Sequence, residues 1–214
     1  MNNQFNIHPN IAEAETLPAQ FYKSEKIFQL IKEKVFLKSW QWVGSKDLVP
    51  FEGYAHPFIL LEGYLTEPLA VVRTKDNEII CLSNVCTHRG NIVVQQSGKT
   101  RNLSCMYHGR RFNLSGEFEF MPEFTKTKNF PRPCDDLHRF KMAGWGPFLF
   151  AGLAPSFELK NVIDKINERV GFLPLNEFKE DRLLSREYLV HAHWALYCDN
   201  YLEGFHIPFV HNDL

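Results

Sequence analysis

The chain has 214 residues, 44% of them hydrophobic, including 19 Phe, and a formal net charge of −1. That is enough apolar material for one good core, or for a small domain plus part of another, and it excludes a disordered chain. The near-neutral balance argues against nucleic acid or an anionic membrane as partner, and no stretch approaches the roughly 20 consecutive apolar residues of a membrane span. The N-terminus MNNQFNIHPN lacks the apolar centre of a signal peptide, so the expected location is cytoplasmic. In a reducing compartment the cysteines outside any metal site, Cys81, Cys134 and Cys198, are expected to be buried thiols without a role.

Ser24 is placed to cap a helix over 25–39, because Ile27, Phe28, Ile31, Val35 and Phe36 recur at helical spacing. Short strands follow at 40–43, 58–61, 69–73, 79–82, 103–105, 112–114, 117–120 and 148–151, with hairpin turns at Asp76-Asn77 and Ser115-Gly116. After Ala154-Pro155 the pattern changes: Val162, Ile163, Ile166, Val170 and Leu173 fall on one helical face. A further strand at 184–192 and a helix at 196–207 complete the reading, with His191 and His193 on the polar face of that strand. The predicted class is α+β. Its parts are an N-terminal arm and helix (1–39), a small antiparallel β-domain (40–155) and the start of a second domain (156–214).

Cys86, His88, Cys105 and His108 form Cys-x-His, a sixteen-residue gap, then Cys-x-x-His. Two thiolates and two imidazoles brought together by two loops can hold a [2Fe–2S] cluster with sulfur on one iron and nitrogen on the other, the Rieske arrangement. Neutral imidazoles make such a site less negative than four thiolates, raising its potential into the range of roughly −150 to +300 mV. A structural zinc site also accepts two Cys and two His, but usually groups Cys with Cys and His with His along the chain. Here each loop supplies one of each. Arg110 and Arg111, just after the second loop, could tune the potential of such a cluster or meet an acidic donor protein, but a solvated pair is the default reading.

A second constellation lies in Asp199-Asn200-Tyr201-Leu202-Glu203-Gly204-Phe205-His206, continued by Ile207-Pro208-Phe209-Val210-His211. On one helix Asp199, Glu203 and His206 would share a stripe, and Pro208 would end that helix so that His211 turns back towards His206. Two imidazoles and a carboxylate suit mononuclear non-haem Fe(II). Ordinary polar contacts near a helix end are the competing reading.

Cys86-Thr87-His88-Arg89-Gly90 and Cys105-Met106-Tyr107-His108-Gly109 resemble the two ligand loops of the Rieske non-haem iron oxygenases. Trp145-Gly146-Pro147-Phe148-Leu149-Phe150 resembles the closing strand of their Rieske domain, and 199–211 resembles the mononuclear-iron motif of their α subunits. The resemblance implies His206 and His211 as iron ligands and Glu203 as the carboxylate bridging the two metal centres, with Asn200 nearby. It further implies a helix-grip-like catalytic domain and a ferredoxin or flavin reductase as electron donor. O₂ and a small aromatic or quaternary ammonium compound would be the substrates, and the assembly a homotrimer with electron transfer between subunits. Glu in place of Asp at the bridge points to the branch that oxidises choline or carnitine. The chain departs from the pattern at His193-Trp194-Ala195, where the family often has Asn-Trp-Lys. The family's third iron ligand is a downstream acid; Asp213, the only acid after His211, is read as a solvated terminal residue. The chain is therefore expected to be the N-terminal portion of such a subunit and inactive alone. A stand-alone Rieske electron carrier is the alternative.

Overall fold

A computed structural model describes residues 5–181 and 183–211. The fold is α+β, in two compact units, one of residues 32–180 and one of residues 1–31 with 181–214. Asp213 lies outside the described residues.

Helices α1 (Ala19–Lys23) and α2 (Glu25–Lys34) open the chain, and the Ser24 hydroxyl accepts the Ile27 N–H at 3.4 Å as an N-cap. Helix α2 stops at Lys34, short of the predicted 39. The Leu37 and Lys38 carbonyls bond instead to the Ala154 and Ser156 N–H groups, at 3.1 and 3.0 Å. Ten strands follow: β1 (Gln41–Ser45), β2 (Tyr54–Leu60), β3 (Glu67–Arg73), β4 (Ile79–Ser83), β5 (Gly98–Lys99), β6 (Leu103–Ser104), β7 (Arg111–Phe112), β8 (Phe118–Phe120), β9 (Arg139–Trp145) and β10 (Phe148–Gly152).

The strands form a seven-stranded antiparallel sheet, in the order β1-β10-β9-β4-β3-β2-β5, and a three-stranded sheet β6-β7-β8. Strand β3 explains how the domain closes. Its run Leu69-Ala70-Val71-Val72 is buried without interruption, and successive side chains must point to opposite faces. Ala70 and Val72 join a core with Ile80, Leu82, Leu103, Phe112 and both Cys86 and Cys105. On the other face, Leu69 packs with Leu60, Cys81 and Ala151, and Val71 with Val49 and Leu149. Burial pushes the Cys81 thiol up to about 12, so this cysteine is inert at neutral pH. Cys134 and Cys198 are exposed, contrary to the expectation of buried thiols.

Both predicted hairpin turns are present. Asn77 takes the left-handed conformation (φ 64°) between β3 and β4. Gly116 does so between β7 and β8 (φ 88°), where an added Cβ would lie 2.9 Å from Leu82 Cδ2. Gly116→Ala combines backbone strain with this clash and is expected to destabilise the domain by about 1–3 kcal/mol, measured as a lower urea midpoint at constant m-value. A midpoint unchanged from wild type would contradict the assigned turn.

Two strands lie outside the predicted set. Strand β5 is two residues long, too short to show alternation, whereas β9 does alternate over Arg139-Phe140-Lys141-Met142, exposed then half-buried, before Ala143 and Gly144 interrupt the pattern. The sextet 145–150 holds the Gly146-Pro147 turn of the β9-β10 hairpin, with Gly146 at φ 55°, and the first three residues of β10. Helix α3 (Leu159–Val170) follows, and its Asn167 Oδ1 accepts the Trp145 indole N–H at 2.8 Å.

The predicted strand at 184–192 does not form. Leu184, Tyr188 and Leu189 are exposed, and among the described residues no strand pairs with the segment. The predicted helix at 196–207 is two helices, α4 (Trp194–Leu202) and α5 (Ile207–Val210). Glu203, extended at φ −115° and ψ 157°, ends α4 just before Gly204, a poor helix former. Pro208 sits in the first turn of α5, where its missing N–H costs nothing, so it opens a helix rather than closing one. No helix among the described residues is long and apolar enough to cross a membrane.

Candidate metal centre

The two loops bearing Cys86 and Cys105 are built alike. Each runs four residues from Cys to a left-handed Gly, Gly90 at φ 74° and Gly109 at φ 70°. Each Gly N–H donates to the carbonyl of its Cys, at 2.9 and 3.0 Å, and each Cys N–H donates to the carbonyl five residues on, Asn91 and Arg110, both at 2.8 Å. The second loop is the tip of the β6-β7 hairpin; an isolated bridge, Val85 with Ile92, closes the first. An added Cβ at Gly109 would come 3.3 Å from Pro122 Cγ, on top of its left-handed strain.

These loops sort the four side chains by type. The Cys86 and Cys105 side chains lie in one buried cluster inside the core, at 3% and 2% exposure. The His88 and His108 rings lie together at the rim, 4.8 Å between centroids, His88 half-buried and His108 exposed. Residues that alternate Cys, His, Cys, His in sequence are thus paired thiol with thiol and imidazole with imidazole in space. That donor set fits a two-iron cluster with sulfur ligands on its inner iron and nitrogen ligands on its outer one.

The surroundings act on the two thiols in opposite directions and keep His88 neutral. Burial raises the Cys86 thiol above its ordinary value. At Cys105 burial acts in the same direction, but the Tyr107 N–H, the Asn91 amide (3.6 Å), the Cys86 thiol and the His108 N–H overcome it and hold the pKa below the ordinary range. Such N–H donors to a cysteine sulfur are a lever on cluster potential. Burial, then the charges of His108, Arg89 and Arg110, hold His88 below its usual pKa, in the neutral form that binds metal.

Arg110 is not solvated. It is 2% exposed and paired with Asp135 at 2.8 Å, with the Phe118 ring 5.0 Å from its guanidinium carbon. Arg111 is half-buried and stacks over Phe120 at 4.8 Å. Sequence reasoning missed Asn91 and Asp135. The equal Cys-to-Gly spacing of the two motifs could have flagged the position of Asn91; nothing local signals Asp135.

In the second constellation Glu203, His206 and His211 are neighbours, but not along one helical stripe. The Glu203 carboxylate bonds His206 Nδ1 and accepts the Phe205 N–H, and the His206 and His211 rings are 5.3 Å apart. The His206 contact, first among several, holds the Glu203 carboxyl below its ordinary pKa, so it is ionised at neutral pH. Asp199 is engaged elsewhere, accepting the Tyr22 hydroxyl, and Asn200 is exposed on α4. His193 belongs to neither a strand nor this group. Its Nδ1 accepts the Ala195 N–H at 3.2 Å as the N-cap of α4, and its ring packs among Phe21, Tyr22 and Phe28. Among the described residues no three His, Cys, Asp or Glu side chains converge closely enough to hold a single metal ion.

Residues 39–131 match the family model of the Rieske [2Fe-2S] domain, a segment that contains both ligand loops. This chain carries a Rieske domain. The match decides between the two metals left open by composition, because a Rieske domain holds a [2Fe–2S] cluster and not zinc. Outside the domain the likeness continues. The chain is 27% identical to choline monooxygenase of Arabidopsis thaliana, over 95% of this chain and 50% of the relative. It is 30% identical to the carnitine monooxygenase oxygenase subunit of Escherichia coli K12, over 94% and 53% respectively. The chain therefore spans about half the length of the curated relatives it matches. Among solved structures it resembles a quaternary ammonium Rieske monooxygenase in complex with L-carnitine, with TM-score 0.74 and 24% identity over 91% of this chain and 55% of that one. It also resembles naphthalene 1,2-dioxygenase with indole bound, with TM-score 0.58 and 22% identity over 65% and 31%. At these identities the structural likeness concerns the fold alone.

Proposed function

We propose that this chain is part of a Rieske-type oxygenase α subunit that hydroxylates a quaternary ammonium compound. The observation that carries the reading is the coexistence, in one chain, of the paired Cys86/Cys105 and His88/His108 donors with the Glu203, His206 and His211 group. The named choline and carnitine monooxygenase relatives, together with Glu203 at the bridging position, favour quaternary ammonium over aromatic substrates.

When bound, the cluster supplies one-electron storage and a mononuclear iron supplies O₂ activation. Cys86 and Cys105 would hold the cluster from the buried side, and His88 and His108 from the domain rim, where a ferredoxin or flavin reductase would deliver electrons. Glu203 accepts the Nδ1–H of His206, which fixes the tautomer and leaves Nε2 as the free donor for iron, with His211 as its companion. Glu203 is thus an orienting carboxylate rather than a ligand, and in a homotrimer its second role is to bridge towards a cluster histidine of a neighbouring subunit. Asn200 stands on the preceding helix.

Iron stoichiometry tests the reading against a stand-alone electron carrier. In an α subunit of the full length of the matched relatives, loaded anaerobically with Fe(II), an oxygenase binds a third, sulfide-free iron per chain that His206→Ala removes; iron equal to sulfide in that wild type would favour the carrier. In the same full-length subunit we expect Glu203→Gln to leave all metals bound while reoxidation of the reduced cluster by O₂, with substrate present, slows by at least about tenfold, the scale of a lost outer-shell partner. Loss of the third iron with unchanged reoxidation in the occupied fraction would make Glu203 a ligand instead.

A further inference from the structure

Segment 132–136, just beyond the stretch matched by the family model, connects the two ligand loops. The Asp135 carbonyl accepts the Thr87 hydroxyl at 2.7 Å and the Arg110 Nη2–H at 3.0 Å. Thr87 stands between Cys86 and His88. Arg110 follows Gly109, and its own carbonyl accepts the Cys105 N–H. A single residue therefore ties both loops. The Asp135 carboxylate adds a 2.8 Å contact to Arg110 Nη2 and closes back on Arg132, accepting its backbone N–H at 2.8 Å and its exposed Nε–H at 3.3 Å, which fixes the short turn that presents the carbonyl. Phe118 and Phe130, with ring centroids 5.0 and 5.5 Å from the Arg110 guanidinium carbon, help cover the pair.

Arg110 and Asp135 are 2% and 5% exposed. A buried ion pair recovers little beyond its own desolvation, so net stability does not account for placing one here. What it supplies is position, since the bonds hold only when both loops are in register, and charge balance, since a guanidinium this close to the ligand loops is given a counter-charge. We propose that Arg110 and Asp135 are positioning residues that hold the Cys86–His88 and Cys105–His108 loops at the spacing of the cluster and, through the counter-charge Asp135 gives the buried guanidinium, set its redox potential. The proposal rests on those four residues being the ligands.

The test uses the full chain, cluster loaded, as wild type, Asp135→Asn, Thr87→Val and the double variant. Iron release to a chelator is expected to be about tenfold faster in Asp135→Asn, equivalent to about 1.4 kcal/mol, and accelerated by a smaller factor in Thr87→Val. The double variant releases iron no faster than Asp135→Asn alone, because both changes act on one strap. The midpoint potential rises in Asp135→Asn, since the buried guanidinium loses its counter-charge and reduction adds negative charge beside it; it stays at the wild-type value in Thr87→Val. An unchanged potential in Asp135→Asn, or release factors that multiply in the double variant, would overturn the proposal. Should Asp135→Asn fail to fold, Thr87→Val decides alone: faster release supports the strap and wild-type release overturns it. Absence of acid-labile sulfide from the wild-type chain would overturn the ligand assignment itself, before any variant is compared.

Discussion

Replacing Cys105 with serine is expected to abolish the reduced-state EPR signal of the cluster and to reduce acid-labile sulfide to background. The Cys105 sulfur is buried, receives the Asn91 amide at 3.6 Å, and is held below its ordinary pKa by N–H donors directed at it. A serine oxygen in this place is shorter, harder and far more difficult to deprotonate, so the inner iron loses one of its two sulfur ligands. No other thiol can replace it within the core: Cys81 faces the opposite side of the sheet and belongs to a different cluster of buried residues. Retention of a full signal and full sulfide in Cys105→Ser would remove Cys105 from the ligand set.

The second large effect belongs to the core that carries the loops. Phe112 is fully buried, pairs in register with Leu103 across the β6-β7 hairpin, and packs in the cluster that contains both Cys86 and Cys105. Truncating it to alanine is expected to cost about 3–5 kcal/mol, from lost transfer energy and the cavity left behind. Against a typical total of about 5–15 kcal/mol this is a severe loss, visible as a lower urea midpoint at unchanged m-value. Because the same hairpin presents Cys105 and His108, cluster retention should fall with stability in this variant. A cost below about 1 kcal/mol would mean that the hairpin is not anchored through Phe112.

The two loops that carry the proposed cluster donors were legible in the sequence because they are local: a Cys, a nearby His and, four residues after the Cys, a glycine for the left-handed turn are written in consecutive residues. Strands such as β3 were legible for the same reason, since burial on both faces leaves a continuous apolar run. What escaped was whatever depends on a distant partner. Arg110 looks solvated until Asp135, 25 positions on, is folded against it. Residues 190–194, at the end of the predicted strand, alternate apolar and polar, yet alternation is only half of a strand, and the ladder partner has to come from elsewhere. The misplaced break in the second motif has another origin. Both Gly204 and Pro208 interrupt helices, and the proline was read as a stop when its position in the first turn of α5 makes it a start.

The most direct test of the central claim is electron–nuclear double resonance on the reduced protein with ¹⁵N-labelled histidine. The account predicts two strongly coupled histidine nitrogens on one iron, from His88 and His108, with one coupling lost in His108→Cys while a cluster is retained. Stoichiometric zinc without acid-labile sulfide in the native protein, or a cluster with no histidine nitrogen coupled to it, would contradict the account.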